Sequence, residues 1–108
     1  MISAELIQEA VELLKKAAPD STIILFGSHA RGDAREESDL DFLVIEPVVT
    51  ARRMEMTRLS DVLDPLDLPV DIIVASQRIF EKWSRMPGTI LYTAAQEGKT
   101  VYAGGRSN

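Results

Sequence analysis

The chain has 108 residues, 45% of them apolar, and a net charge of −5: enough chain for one core, too little for two ordinary domains, and too acidic for direct binding to nucleic acid phosphates. It has no cysteine, which excludes a disulfide framework and a thiolate metal site. No apolar run reaches the roughly 18 residues that span a membrane, and "MISAELIQEAVELLKK" is too acidic and amphipathic for a secretory signal, so a cytoplasmic chain without membrane contact is expected.

From Ser3 to Ala17, Leu6, Ala10, Leu13, Leu14 and Ala17 recur at helical spacing, with Ser3 as N-cap and Pro19 and Asp20 as the stop. The β-branched run "STIILFG" predicts a buried strand closed by Gly27, and "SHAR" a short helical turn. "DLDFLVIE" predicts the second strand. A helix is expected from Thr50 to Leu63, with Met54, Leu59, Val62 and Leu63 on one face and the prolines of "DPLDLP" at its end. "VDIIVAS" predicts the third strand, after which Ser76 caps a helix through Trp83. A last helix, Thr89 to Glu97, is read as ending on Gly98 as a C′ glycine, with a brief strand "KTVYA" behind it. The order implies an α/β (α+β) fold, a small mixed sheet covered by helices, in one domain over residues 1–103 with a flexible tail at 104–108.

Side chains alternate along a strand, so Asp39 and Asp41 are expected on one face of the second strand. A connection of about a dozen residues makes the first two strands antiparallel, and a helical crossover makes the third parallel to the second. Gly27, Ser28, Asp39 and Asp71 then meet at one end of the sheet. Singly, each aspartate reads as an ordinary strand-edge or turn residue. Jointly, three bare carboxylates repel and call for a cation, and hard oxygen ligands with room for water and phosphate suit Mg²⁺. Gly27 alone reads as a strand-ending glycine. With Ser28 it also offers backbone N–H groups and a hydroxyl to the terminal phosphates of a nucleoside triphosphate. Arg31 is either solvated or helps neutralise that phosphate, and His29, the sole histidine, reads as a turn residue. "GSHARGDA" lacks the ending of a P-loop, and "DLDFL" lacks the glycine and closing Glu of an EF-hand. A phosphatase forming an aspartyl phosphate is the weaker alternative, because the upstream Gly-Ser would then have no role.

Gly27-Ser28, ten intervening residues, Asp39-Leu40-Asp41 and a third aspartate at Asp71 resemble the nucleotidyltransferase superfamily of DNA polymerase beta. The wording "GSHARG" and "SDLDFLV" and the short chain most resemble its minimal members, the MntA-like antitoxins paired with HEPN-domain toxins. The resemblance implies that Asp39 and Asp41 ligate two Mg²⁺ ions and that Asp71 completes the catalytic ion's site and assists deprotonation of the acceptor. It implies that Gly27 and Ser28 hold the phosphates of ATP, whose AMP passes to a hydroxyl, in such antitoxins a tyrosine of the HEPN toxin, with release of pyrophosphate. The chain has no length for the second helical domain of larger relatives, so a partner chain or an oligomer is expected to supply half the site. Phe80, Trp83, Leu91 and Tyr92 are read as core positions first and as partner contacts second. The alternative is an antitoxin that neutralises a HEPN partner by binding alone.

Overall fold

The Ser3 hydroxyl accepts from the Leu6 amide at 3.1 Å, supplying a partner that the first helical turn lacks, and helix α1 runs Ala4–Ala17. Ala10, Val11 and Leu14 form its buried stripe. In the computed structural model, which describes residues 2–104, the chain continues through β1 (Thr22–Phe26), α2 (Ser28–Arg31), β2 (Leu40–Glu46) and α3 (Arg52–Val62). A 3-10 turn at Asp64–Leu66 leads to β3 (Val70–Ser76), α4 (Gln77–Trp83), α5 (Ile90–Glu97) and β4 (Lys99–Ala103).

The strands form one mixed sheet in the order β3-β2-β1-β4. β1 and β2 are antiparallel, with Phe26 opposite Asp41, and β2 and β3 are parallel, with Asp41 opposite Asp71. The α3 crossover dictates that parallel pairing, as the element order predicts. β4 closes the other edge of β1, antiparallel, with an irregularity between Ile23 and Ile24.

Helices cover both faces. On one, Ile23, Leu25, Leu40, Phe42, Val44, Ile72 and Val74 pack with α1 and with Leu59 and Leu63 at the end of α3. On the other, Ile24, Phe26, Leu43, Ile45 and Ala75 pack with Leu91 and Ala94 of α5 and Phe80 of α4. β2 is therefore buried on both sides, which is why "DFLVI" reads as a nearly continuous apolar run.

Four local expectations change. α3 starts at Arg52 rather than Thr50, and Arg52 Nε donates to the Val74 carbonyl at 2.9 Å. Met54 is 74% exposed instead of facing the core, where Met56 packs. Gly98 does end α5, but in an extended conformation (φ −79°, ψ 166°) and not the left-handed one of a C′ glycine. Glycine is needed there for space, since a Cβ would strike the Ala94 carbonyl and the Ile24 side chain. Finally, Gly104, placed with the tail, is buried and donates its N–H to Ser21 O at 2.9 Å, while the remainder of that tail lies outside the described residues.

At the C-terminal end of β2, Glu46 meets Glu55 and Arg58 of α3. Arg58 grips the Glu55 carboxylate through Nε at 2.9 Å and Nη2 at 2.6 Å, and this, with the bond to Glu46, holds the Glu55 carboxyl well below its usual range. Burial, then the hydrogen bond with Glu55, pushes Glu46 from 4.5 to about 7. Its Oε2 is sealed from water without a hydrogen-bond partner among the described residues, which favours the neutral carboxyl. A carboxyl whose folded-state pKa is raised stabilises the fold when protonated and loses that contribution as pH rises from 4.5 through about 7.

Glu46→Gln is therefore expected to melt increasingly above the parent as pH rises from 5 to 8. Thermal melts across that range check it, and parallel curves for the two proteins would refute the raised Glu46 carboxyl. Gly98→Ala is expected to cost about 1–3 kcal/mol through overpacking, whereas Met54→Ala stays within about 0.5 kcal/mol as a surface change; denaturant titrations distinguish the two.

Candidate functional site

The site begins where β1 ends. Gly27 has φ 77° and ψ −158°, a conformation that side chains avoid, and a Cβ on it would collide with Asp41 Oδ2. The turn is thus pressed directly against the carboxylate. The Gly27 carbonyl accepts from the Ala30 and Arg31 amides at 3.1 and 3.0 Å, which starts α2. The N–H groups of Ser28 and His29 precede the first intrahelical donor, so the turn offers them to an acceptor outside the helix. Gly32, at φ 88°, closes α2 in the left-handed conformation.

Asp41 and Asp71 share one register position on parallel neighbours, so both side chains leave the same face of the sheet. Asp39 differs from expectation: β2 starts at Leu40, leaving Asp39 exposed on the approach to the strand, where strand alternation does not govern it. It is still an electrostatic neighbour. Burial, then the charges of Asp71 and Asp39, push the Asp41 carboxyl above its usual range, while His29 and Arg31 pull it back. Among the described residues no three His, Cys, Asp or Glu side chains stand close enough, as placed, to grip one ion. The donors nonetheless suit a hard divalent cation: they are all carboxylates, Asp71 and Asp39 both disfavour the charged form of Asp41, and Asp41 lies against the Gly27 turn.

His29 behaves as a turn residue, its Nε2 lying 3.3 Å from the Ser38 carbonyl. Arg31 does not stand free in solvent. Its Nη1 donates to Glu97 Oε1 at 3.0 Å and its Nε to Asp33 Oδ2 at 3.3 Å. The same Glu97 oxygen accepts the Gly27 N–H at 3.2 Å. Glu97 was invisible to spacing rules because β4 pairing with β1 brings it to the turn. The sequence signal was only an acidic residue ahead of a strand-opening glycine. Of the four carboxyl-terminal side chains singled out above, Leu91 and Phe80 belong to the core, Tyr92 is half-buried, and Trp83 is exposed at 36%.

The glycine-serine turn thus lies against in-register aspartates at one end of a helix-covered mixed sheet. The family model for the nucleotidyltransferase domain matches residues 6–93, and the chain belongs to that family. A Methanocaldococcus jannaschii protein named as a protein adenylyltransferase is 32% identical over 80 residues, which are 74% of this chain and 76% of the relative. Among solved structures, a toxin-antitoxin with AMP-PNP matches 94% of this chain and 74% of its own at 24% identity and a TM-score of 0.65. A structure of the tri-AMPylated Shewanella oneidensis HEPN toxin in complex with MNT antitoxin matches 92% of this chain and 71% of its own, at 19% identity and a TM-score of 0.57. These last two likenesses establish a shared nucleotidyltransferase fold.

Because ionised Asp41 is disfavoured in the folded state, the fold loses stability as pH rises through its elevated pKa. Asp41→Asn is expected to fold normally and to melt above the metal-free parent at pH 7, the gap closing in acid; a lower melting temperature at pH 7 would refute the crowding. Gly27→Ala is expected to destabilise, with about 1–3 kcal/mol from the backbone conformation alone and more from the collision with Asp41, as urea titration would show.

Proposed function

We propose that this chain transfers AMP from ATP to a hydroxyl of a partner protein, a tyrosine of a HEPN-type toxin, and acts as its antitoxin. The observation that carries the reading is the Gly27-Ser28 turn held against Asp41, with Asp71 in register beside it. Membership of the nucleotidyltransferase family supports the reaction class. The names of the similar proteins, a protein adenylyltransferase and an AMPylated HEPN toxin with its MNT antitoxin, support the acceptor and the partner.

In this reading Ser28, with the amides of the turn and the Arg31 guanidinium, receives the β and γ phosphates. Asp39, Asp41 and Asp71 would hold Mg²⁺, which supplies the positive charge that a triphosphate and three carboxylates lack between them. The acceptor oxygen forms its bond to the α-phosphorus as the bond to the β-phosphate oxygen breaks, and pyrophosphate leaves. Asp71, exposed at the rim, takes the hydroxyl proton. The acceptor has to lie in line with the α-phosphate, which favours a flexible exposed tyrosine over a buried one. The partner contact falls to the α4–α5 segment, where Ile79, Trp83, Met86 and Ile90 are exposed.

Two measurements test the proposal. Calorimetry is expected to show ATP binding that EDTA abolishes, and equal affinity with and without EDTA would remove the metal-dependent reading. Incubation with the cognate toxin, ATP and Mg²⁺ is expected to add AMP to a toxin tyrosine, read by intact mass and peptide mapping, with Asp41→Asn slower by at least about 10²-fold. Neutralisation by Asp41→Asn with the toxin's mass unchanged would instead establish an antitoxin that acts by binding alone.

A further inference from the structure

We propose that Glu97 is a positioning residue of the nucleotide site, acting through Gly27 and Arg31. The proposal rests on the nucleotidyl-transfer reading above. One carboxylate oxygen, Oε1, accepts both the Gly27 N–H at 3.2 Å and Arg31 Nη1 at 3.0 Å. These are the backbone of the turn that meets the triphosphate and the cation nearest to it.

Glu97 is set from both sides. Upstream, Leu91 and Ala94 of α5 are buried against the sheet. Downstream, Gly98 comes so close to β1 that a Cβ would stand 3.1 Å from the Leu25 carbonyl, and Lys99 then pairs with Leu25. Two residues beyond that pair on each strand, Glu97 comes opposite Gly27. Its carboxylate therefore takes the N–H that a longer β4 would have taken, at the point where the ladder gives out. The side chain of Glu97 is 24% exposed and that of Arg31 is 45% exposed, so the carboxylate is the anchor and the guanidinium the group held. Asp33 grips Arg31 from the other side at 3.3 Å but is itself 64% exposed, and an exposed pair of this kind fixes little.

Glu97 also leaves the ligand its donors. A guanidinium carries five N–H groups, of which Glu97 and Asp33 engage Nη1 and Nε. The Ser28 and His29 amides remain ahead of the first intrahelical donor. The arrangement fixes the direction of Arg31 without occupying its remaining face, so the cost of ordering a long side chain is met before a phosphate arrives.

The test is calorimetric affinity for Mg·ATP in the parent, Glu97→Ala, Glu97→Gln, Arg31→Ala and the Glu97→Ala/Arg31→Ala double variant. Glu97→Ala is expected to weaken binding about tenfold, the scale of one charge-assisted hydrogen bond. Glu97→Gln, which keeps an oxygen for the Gly27 N–H but loses the charge, is expected to weaken it less. In the double variant the loss is expected to fall well short of the product of the two single losses, because much of what Glu97 does passes through Arg31. A merely structural role would instead give losses that multiply, and that result overturns the proposal. So does unchanged or tighter binding by Glu97→Ala, the latter marking Glu97 as an anion competing with phosphate. Should Glu97→Ala fail to fold, Glu97→Gln replaces it in the same cycle with Arg31→Ala and is read by the same criteria. A parent that binds no Mg·ATP overturns the nucleotidyl-transfer reading itself, whereas binding by the parent with unaltered variants overturns only the role of Glu97.

Discussion

Everything at the site depends on the register of β2. Phe42, Leu43 and Val44 have no exposed surface and Ile45 has 3%, and alternate residues of this run belong to opposite cores. A slip of one residue would exchange the two sets, so the packing specifies one register only. Each large apolar side chain contributes about 1.5–3 kcal/mol on burial. The repulsion of two carboxylates about 4 Å apart at an effective dielectric near 20 is about 4 kcal/mol, less than several such side chains contribute together. The core therefore holds Asp41 beside Asp71 against their charge, and the turn at Gly27 is fixed in turn by its contact with Asp41.

The two ends of β2 show why only one of them reads as a site. Both Glu46 and Asp41 are carboxyls raised by burial and by an acidic neighbour. At Glu46 the conflict is closed internally, by a carboxyl that burial keeps neutral and by Arg58 on Glu55. At Asp41 the groups pulling the other way are His29 and Arg31, and Arg31 is already engaged by Glu97 and Asp33. The negative charge there is left for something outside the chain to neutralise. That asymmetry, more than the number of acids, distinguishes a structural cluster from a candidate metal site.

What was legible in the sequence was local or followed from chain connectivity. Ser3 and Ser76 each cap the helix they precede, because a short hydroxyl placed ahead of an apolar period has few other roles, whereas Thr89, read as the first residue of the last helix, is its cap. The parallel pairing of Asp41 with Asp71 follows from a crossover helix of fixed handedness. Asp39 was misplaced on the strand because strand ends depend on the partner's hydrogen bonds: β2 begins where the Leu40 amide finds the Pro69 carbonyl at 2.9 Å. Met54 went astray because α3 carries few apolar residues and its period is weak. Glu97 and the true reason for Gly98 were illegible for a common cause. Both are set by the return of β4 onto β1, a contact between positions about 70 residues apart that no periodicity encodes.

That return also bears on how the proposed phosphate site would be built. With a net charge of −5, the chain repels a triphosphate at long range, and its short-range attractions are a few amides, one hydroxyl and Arg31. Such groups gain most when they are held before the ligand arrives, because a flexible arginine would lose side-chain entropy on binding. Drawing the end of α5 onto the turn brings a carboxylate that holds both the turn and Arg31. In the proposed reaction the same acidity would attract a basic partner, and a divalent cation held by the aspartates would offset the repulsion of the nucleotide. In the proposed reaction, metal, nucleotide and partner therefore act on a single excess of negative charge, gathered where β2 leaves the core.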